Sequence, residues 1–343
     1  IWVNFKMEIE CKKPIKEKLN PKIVALGGGT GLSNLLRGLK LYTNNITAIV
    51  TVADDGGNSG QIREDLGILP PGDIRNCILA LADMEPAMEQ LLQYRFKEGY
   101  LKGQNLGNLL IAAMTDISGG FEKAVDELGN VLAITGRVLP VTIDNMTLKA
   151  LLKNGEIVYG ESKIPKACMD MNTHIERIFI SPEDCKSLPE VVEAIYDADA
   201  IVLGPGSLYT SIMPNLLVHD VYEAILRNKC KKIYVCNVMT QPGETVGYGI
   251  LDHVKAITDH CGYNILGYVL ANDSYIPNDL LEKYEEEGSS PVRPCESAVN
   301  ILEEIGIRLV TADIMDITKG FIRHDPVKLA QEVMNIILQP SDI

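Results

Sequence analysis

The chain has 343 residues, of which 46% are hydrophobic and 23% are charged, and its formal net charge is −14. This composition is typical of a folded chain of one or two domains and excludes an intrinsically disordered protein. The acidic balance argues against nucleic acid as the main partner, because binding to a phosphate backbone needs clustered positive charge.

The cysteine and histidine patterns predict neither a zinc site nor a disulfide framework. The eight cysteines include no CxxC pair, and the five histidines include no HExxH motif. No apolar run approaches the roughly 20 residues of a membrane helix, and no signal-peptide pattern is present. We therefore expect a cytoplasmic protein. Residues 1–20 are interpreted as an extension outside the core, either a processed end or the tail of a longer segment that anchors the parent protein.

The first half of the chain alternates strands and helices. The predicted strands at 22–26 and 46–52 are continuously apolar and β-branched, as expected for parallel strands buried on both faces. Apolar periodicity predicts helices at 32–41, 73–83, 87–96, 106–117 and 121–128.

The middle of the chain has a different character. Asn154 and Gly155 form a hairpin-turn signal between strand-like segments at 141–152 and 156–161. This pattern predicts a β-rich insertion near 131–171.

Alternation resumes in the second half, with predicted strands at 175–180, 200–203, 232–236 and 266–270 and helices at 188–196, 216–227 and 251–260. This order predicts an α/β fold with a Rossmann-like, doubly wound, mostly parallel sheet and a β-hairpin-containing insertion. We divide the chain into a core at 21–330 and a C-terminal helix end at 331–343.

Ligands of such sheets bind beyond the carboxyl ends of the strands. The first of these loops, "GGGTG", matches neither the G-x-G-x-x-G dinucleotide fingerprint nor a lysine-bearing P-loop. Its backbone N–H groups still suit an anion at a helix N-terminus, although a tight turn is the alternative. The predicted ligand contacts here are Gly28, Gly29, Thr30 and Gly31.

The loop after the second strand carries paired carboxylates. Asp54 and Asp55 could accept from ribose hydroxyls, hold Mg²⁺ or act as a base, and these two are the only catalytic candidates. Capping is the alternative role. Asp54 lies where an NAD-type ribose acid would be, which leaves an NAD(P)-binding enzyme open. Gly57 and Ser59 follow in a second glycine-rich stretch and are predicted to contact ligand.

Two helix starts in the first half also carry polar groups. Asp73 is a plausible N-cap, and Arg75 in the same first turn opposes the helix dipole, so that an external anion would suit it. Capping alone would explain them equally well. The predicted contacts are Asp73, Arg75, Asn76 and Asn108.

Hydroxyl and amide side chains follow two strands of the second half, and an arginine lies near the end. They suit a diphosphate, a uracil edge or sugar hydroxyls, and surface ion pairing is the alternative for the arginine. The predicted contacts are Gly206, Ser207, Thr210, Ser211, Asn237, Thr240, Gln241, Glu244, Thr245 and Arg323. No Ser-His-Asp or Cys-His assembly is evident, so the residues favour binding without demanding catalysis.

Several motifs occur in one order between about residues 21 and 330, namely "GGGTGLSNLLRGLK", "VADDGGNSGQIRED", "LPPGDIRN", "LGNLL", "LGPGSLYTSIMPNLLV", "CNVMTQPGET" and "RHDPVKLA". Together they resemble the gluconeogenesis-factor (YvcK) branch of the CofD-like family, which is related to 2-phospho-L-lactate transferase. The resemblance implies a Rossmann-like cytoplasmic protein that binds UDP-sugars such as UDP-N-acetylglucosamine. It also implies a role in growth and normal cell shape on gluconeogenic carbon, without a known reaction.

The resemblance leaves a transferase open, because the sister branch uses a nucleotide diphosphate donor with Mg²⁺. The expected partners are a nucleotide sugar and an unknown protein in cell-envelope regulation, and a homo-oligomer is left open. The sequence departs from the branch pattern at Asn58, Gln61, Gln104 and Val246.

Overall fold

The structure is a computed structural model that describes residues 20–262 and 265–340. Its strands are β1 Ile23–Gly27, β2 Ile46–Val50, β3 Arg137–Pro140, β4 Thr147–Leu152, β5 Ile157–Tyr159, β6 Ile175–Ser181, β7 Ala200–Leu203, β8 Lys231–Val235, β9 Tyr268–Asn272, β10 Arg308–Ala312, β11 Met315–Thr318 and β12 Phe321–His324.

Most of the α-helices lie between these strands along the chain. The helices are α1 Gly29–Leu39, α2 Gly57–Leu66, α3 Gly72–Leu81, α4 Pro86–Gln93, α5 Leu106–Ser118, α6 Phe121–Val131, α7 Ile164–Asp170, α8 Pro189–Tyr196, α9 Met213–Leu216, α10 His219–Arg227, α11 Ile250–Cys261, α12 Asn278–Glu286, α13 Glu296–Glu304 and α14 Pro326–Leu338.

The main sheet has seven parallel strands in the order β10-β9-β8-β7-β1-β2-β3. The central strands β1 and β7 are buried along their whole length, which explains their continuously apolar sequences. The prediction of a Rossmann-like, doubly wound sheet is confirmed. The chain winds outward from β1 to β3 in one direction and from β7 to β10 in the other, so the switch point lies between β1 and β7.

The first two glycine stretches begin helices rather than long loops. Helix α1 starts at Gly29, three residues before the predicted start, and buries Leu32, Leu35, Leu36 and Leu39 against the core. Their i, i+3, i+4, i+7 spacing is the pattern of one apolar helix face. Helix α2 likewise starts inside the second glycine stretch, at Gly57. The backbone N–H groups of both helix starts therefore point toward the carboxyl edge of the sheet.

The predicted β-hairpin insertion is confirmed, because β4 and β5 pair antiparallel in a sheet separate from the main one. Two neighbouring strands differ from the prediction. Strand β3 lies within 131–171 but pairs in parallel with β2 and belongs to the main sheet. Strand β6, predicted as part of the alternating core, instead pairs antiparallel with β4 in a separate three-stranded sheet of order β5-β4-β6. From Ile178 to Ser181 its buried isoleucines alternate with a half-buried and an exposed residue, which is typical of an antiparallel strand with one solvent-facing side.

The last part of the chain contains helices and strands that were not predicted from the sequence. The antiparallel hairpin β11–β12 and helix α12 share a small apolar cluster with Val238 and Met239, which follow β8. Helix α14 packs against α1, and the predicted boundary between 330 and 331 falls inside α14. The predicted extension at 1–20 lies outside the described residues except for Asn20. In residues 20–262 and 265–340, no helix combines the length and apolar character that a membrane crossing requires.

The contact between α1 and α14 has no room for a side chain at Gly38. A Cβ placed there would lie 1.8 Å from the Pro326 carbonyl oxygen and 2.6 Å from the Ala330 Cβ atom. We expect Gly38→Ala to lower the free energy of unfolding by about 3 kcal/mol, because backbone atoms cannot yield as a flexible side chain can. Urea unfolding measures this. In Gly129→Ala, on α6, the new Cβ meets only the end of the Ile134 side chain at 3.1 Å, and a similar loss there would contradict the explanation.

Candidate ligand-binding site

A cavity of about 550 Å³ opens at the carboxyl edge of the main sheet. It is lined by the segments that follow β1, β2, β7 and β8, so it lies at the switch point where doubly wound sheets bind ligands. Its volume falls within the range of about 300–1,000 Å³ that is usual for small-molecule sites. The position and size together identify this cavity as the candidate binding site.

The two glycine loops at the centre of the cavity are in direct backbone contact. A Cβ at Gly31, in the first turn of α1, would lie 2.4 Å from the Pro205 carbonyl oxygen, so only glycine allows this approach. Asn215 ties the same loops together, because its buried Nδ2 donates to the carbonyl oxygens of Gly27 at 3.1 Å and Ser211 at 2.8 Å. The floor of the cavity is therefore a rigid backbone platform.

Asp73 lies beneath the first glycine loop. Its carboxyl group accepts a hydrogen bond from the backbone of Gly29, and a Cβ at Gly28 would lie 2.6 Å from its Oδ2 atom. Gly29 has a φ of +62°, a left-handed conformation that glycine adopts without strain. The N-terminus of α1 thus already contacts a carboxyl group of the protein itself. The glycine motif alone predicted only an external anion at this helix start.

Carboxyl groups gather on one side of the cavity. Asp54, Asp73 and Glu161 line it, while the buried Glu244 lies behind. Burial, with the charge of Asp54 as a second cause, raises the pKa of Asp73 to about 7 and the pKa of Glu161 to about 8. Burial also raises the pKa of Asp54, and it raises the pKa of Glu244 to about 7. Asp73, Glu161 and Glu244 therefore retain protons to a higher pH than exposed carboxyls do.

The two adjacent aspartates of the second strand end point in different directions. Asp54 lines the cavity, and its Oδ1 accepts from the Gly56 N–H at 2.9 Å. Asp55 instead accepts from the Ser162 N–H at 2.8 Å and so caps the short turn before α7. Among the described residues, no group of three or more His, Cys, Asp or Glu side chains is arranged to hold a metal ion. Mg²⁺ binding by Asp54 and Asp55 stays a prediction that this separation does not favour.

A network of amides and one arginine lies beside the cavity rather than in it. Arg75 donates to Asn108 Oδ1 at 2.6 Å and to Asn76 Oδ1 at 2.9 Å, and burial lowers its pKa to about 10. Asn108 in turn donates to Asn58 Oδ1 at 2.8 Å. The predicted contacts Arg75, Asn76 and Asn108 therefore bind one another and support the wall formed by α2, α3 and α5. The Nε atom of Arg75 is buried without a hydrogen-bond partner, and contact of these residues with a ligand stays a prediction.

Three of the four departures from the branch pattern meet in this network. Asn58 donates to Gln104, and Gln104 donates to Gln61 at 3.2 Å. Val246, the fourth, is exposed. The three amides satisfy one another, which explains in physical terms why these residue types occur together in this chain.

Hydroxyl and amide side chains of the segments after β7 and β8 form a second wall of the cavity, the hydroxyl wall, which adjoins the carboxyl groups. Gln241 Nε2 donates to Ser207 Oγ at 2.8 Å, and Thr210 Oγ1 donates to Glu244 Oε1 at 3.2 Å. Thr245 is fully buried, where its Oγ1 accepts from the Gln241 N–H at 2.9 Å. Glu244 and Thr245 therefore hold the loop in place from behind the cavity wall.

The third side of the cavity is apolar. Val238 and Met239 line it together with Tyr284 and Ile322, and the Tyr284 hydroxyl accepts from the Ile322 N–H at 2.9 Å. Arg323 lies next in the chain and lines the cavity at an exposed position. Burial lowers the pKa of the neighbouring His324 to about 4. Arg323 is therefore the one fixed cation among the described residues that line the cavity.

Most of the predicted contacts come together in this cavity. Those that line it are Gly28, Gly29, Thr30, Gly31, Asp54, Asp73, Gly206, Ser207, Thr210, Ser211, Asn237, Thr240, Gln241 and Arg323. Those that lie outside its lining are Asp55, Gly57, Ser59, Arg75, Asn76, Asn108, Glu244 and Thr245. Ser59 and Gly57 lie in the first turn of α2, where the Ser59 hydroxyl bonds to Asp54.

Other lining residues were missed by the sequence reading. They include Asn34, Thr51, Glu161, Tyr284, Ser289 and Ile322. Asn34 and Thr51 adjoin predicted loops and could have been found by extending each loop by a few residues. Glu161, Tyr284 and Ser289 come from elements far away in sequence and carry no motif of their own.

The fold is a Rossmann-like α/β fold with a ligand-sized cavity at the switch point of its sheet. The sequence profile described as "2-phospho-L-lactate transferase CofD" matches residues 23–315. The chain belongs to the CofD family, in the branch of the gluconeogenesis factors, as its motifs predicted.

Relatives and a solved structure agree with this assignment. The chain is 56% identical over 318 residues to a Clostridium acetobutylicum protein, covering 93% of this chain and 70% of that one. It is 47% identical to a Bacillus subtilis protein named gluconeogenesis factor, covering 92% of this chain and 98% of that one. A crystal structure of a UPF0052 family member from Bacillus halodurans, 45% identical, superimposes with a TM-score of 0.87 over 92% of this chain and 99% of that one.

Proposed function

We propose that this protein binds a UDP-sugar of the UDP-N-acetylglucosamine type and acts through binding rather than turnover. The observation that carries the proposal is the three-sided cavity at the switch point. Backbone N–H groups, hydroxyls and Arg323 suit a diphosphate, and the apolar side with Tyr284 suits a base. The carboxyls on the remaining side, whose pKa values burial raises, suit sugar hydroxyls, because a carboxyl accepts a hydrogen bond when ionised and can also donate one when protonated.

The proposed biological role is regulatory. Its support is the name gluconeogenesis factor that relatives from Bacillus subtilis and Listeria carry. We propose that ligand binding is needed for growth and normal cell shape on gluconeogenic carbon sources, in the cytoplasm. An unknown protein of cell-envelope regulation would then bind the ligand-bound form of this protein, either as a monomer or as a homo-oligomer.

Calorimetry with UDP-N-acetylglucosamine, UDP-glucose and UMP tests the proposal. We expect UDP-N-acetylglucosamine to bind more tightly than UMP, because only the larger ligand reaches both the diphosphate and the carboxyl sides. Absence of heat with all of these ligands would reject the proposal. NAD, which the Asp54 position left open, serves as a comparison ligand in a melting experiment, and protection by NAD alone would favour a dinucleotide enzyme.

Arg323→Ala should weaken UDP-sugar binding about tenfold or more, because the cavity loses its fixed cation and a charged hydrogen bond to phosphate. Titration calorimetry of the variant measures the loss. Arg227→Ala is the control, since Arg227 is an exposed arginine of α10 that pairs with Glu223 at 2.7 Å, outside the cavity. Equal affinities for Arg323→Ala and the control would remove Arg323 from the diphosphate site.

One observation favours a second function, a transferase that acts on a nucleotide diphosphate donor. Asp54 and Asp73 both line the cavity, burial raises the pKa of both, and the charge of Asp54 raises the pKa of Asp73 further. Such a carboxyl pair can serve general acid–base chemistry. The test is Mg²⁺-dependent loss of the donor over hours, compared between the natural protein and Asp54→Asn, and a stable donor in both would exclude turnover.

A further inference from the structure

A chain of side-chain hydrogen bonds runs along the hydroxyl wall of the cavity, from the end of β8 to the loop after β7. Asn237 Nδ2 donates to Gln241 Oε1 at 3.3 Å, and Gln241 Nε2 donates to Ser207 Oγ at 2.8 Å. All three residues line the cavity. The Ser207 hydroxyl therefore has the Gln241 amide on one side and the cavity on the other.

The direction of this chain decides what Ser207 can offer to a ligand. A serine hydroxyl has one proton to donate, and an amide has both donors and an acceptor. When Gln241 donates to Ser207, the Ser207 proton remains for the cavity. In the opposite order Ser207 donates to Gln241 and presents only lone pairs to the cavity. A phosphate oxygen is an acceptor only, so a bound phosphate is compatible with the first order and not with the second.

We infer that Gln241 is a positioning residue that fixes Ser207 as a hydrogen-bond donor to a phosphate oxygen of the bound ligand. This inference rests on the proposed function, since it needs a phosphate in this cavity. A Ser207 hydroxyl fixed as a donor makes the hydroxyl wall selective for groups that only accept hydrogen bonds. Gln241 then contributes to the discrimination between phosphate and uncharged ligands without contacting the phosphate itself.

The backbone holds both ends of this pair in place before any ligand binds. The Gln241 N–H donates to Thr245 Oγ1 at 2.9 Å, and the Gln241 carbonyl oxygen accepts from the N–H of Glu244 at 3.1 Å. The Ser207 carbonyl oxygen accepts from the N–H groups of Ser211 and Ile212, each at 3.0 Å. Such support preorganises the donor, so that little ordering is left for the ligand to bring about.

A double-mutant cycle with UDP-N-acetylglucosamine as the probe tests the inference. We expect Gln241→Met and Ser207→Ala each to weaken binding about tenfold, as for loss of one hydrogen bond to a charged group. The double variant should bind no more weakly than the weaker single variant, because the two residues act as one unit. Melting temperatures verify that each variant folds.

Gln241→Glu provides a sharper second test, which also serves if Gln241→Met does not fold. A glutamate at 241 can only accept, so it takes the Ser207 proton and also adds a negative charge near the phosphate. The charge effect persists when Ser207 is alanine, whereas the effect on the Ser207 proton does not. We therefore expect Gln241→Glu to lose about tenfold more affinity in the natural background than in the Ser207→Ala background.

The outcomes separate the inference from the proposed function. If the natural protein binds UDP-N-acetylglucosamine but the Gln241 and Ser207 losses multiply independently, the positioning role is wrong and the binding function stands. Unchanged affinity in Gln241→Met leads to the same conclusion. If the natural protein binds no nucleotide, both the inference and the proposed function fall.

Discussion

The Asp73→Asn variant should be more stable than the natural protein at pH 8 in the absence of ligand, by on the order of 2 kcal/mol. Burial raises the pKa of Asp73 to about 7, from 3.8 for a free aspartate. At pH 8 folding must therefore keep a carboxylate charged in an unfavourable place, next to Asp54. Asparagine keeps the shape and the acceptor for the Gly29 N–H but cannot ionise.

The sign of the pH dependence follows from proton binding in the two states. Between about pH 4 and pH 7 the folded protein holds the Asp73 proton that the unfolded chain has lost, so stability falls as the pH rises through this window. Glu161 and Glu244, whose pKa values burial raises to about 8 and about 7, act in the same direction. The natural protein should therefore melt at a higher temperature at pH 5.5 than at pH 8.

Melting temperatures measured from pH 5 to pH 8.5 check this prediction. The slope should be shallower in Asp73→Asn than in the natural protein. Asp116→Asn, on the exposed face of α5, removes the same formal charge without burial and is the matched control. If the control flattens the slope as much as Asp73→Asn does, the effect comes from net charge alone and the buried carboxyl is not its cause.

Protonation of these buried carboxyl groups should also affect the affinity for a ligand. A diphosphate brings negative charge close to the carboxyl side of the cavity, and binding is easier when these carboxyls are neutral. The affinity for a UDP-sugar should then rise as the pH falls from 8 to 6. The acidic side of the site is thus compatible with an anionic ligand, which the formal charges of its residues would not suggest.

The central part of the fold was predictable from sequence because its signals are local. The β1 and β7 segments are apolar runs followed by glycine, and such runs become buried parallel strands. Strand β3 was not predicted because it is four residues long and begins with an exposed arginine. β6 was placed in the wrong sheet because pairing is a long-range property, although the alternation in its second half, Ile178 to Ser181, indicated one solvent-facing side.

The site was predictable only where it follows strands of the central sheet. Asp54 and Asp55 are adjacent in sequence, and nothing local indicates which of them lines the cavity and which caps a distant turn. Arg75 was assigned to an external anion because its acceptor, Asn108, lies a full helix further along the chain. Tyr284 enters the cavity through the packing of α12 on β12, which only the folded chain defines.

Gly31→Ala should weaken binding of a UDP-sugar by more than tenfold and lower the free energy of unfolding by about 2 kcal/mol. The added methyl group would lie 2.4 Å from the Pro205 carbonyl oxygen, 2.8 Å from its carbon and 3.0 Å from the Gly206 nitrogen. All of these are backbone atoms of the second glycine loop. The loops must therefore move apart, which displaces the N–H groups and the Ser207 hydroxyl to which we propose that the phosphate binds.

Gly27→Ala is the matched control, since it adds the same methyl group at the last residue of β1, just before the first glycine loop. Its Cβ would meet only Leu32 at 3.5 Å and the Gly204 Cα atom at 3.8 Å, which are ordinary contacts. Calorimetry and urea unfolding of both variants separate two explanations of the glycine-rich motif. If both variants bind equally well, the glycines serve only the turn into α1. A loss confined to Gly31→Ala would mean that the motif exists to bring two loops together around one ligand.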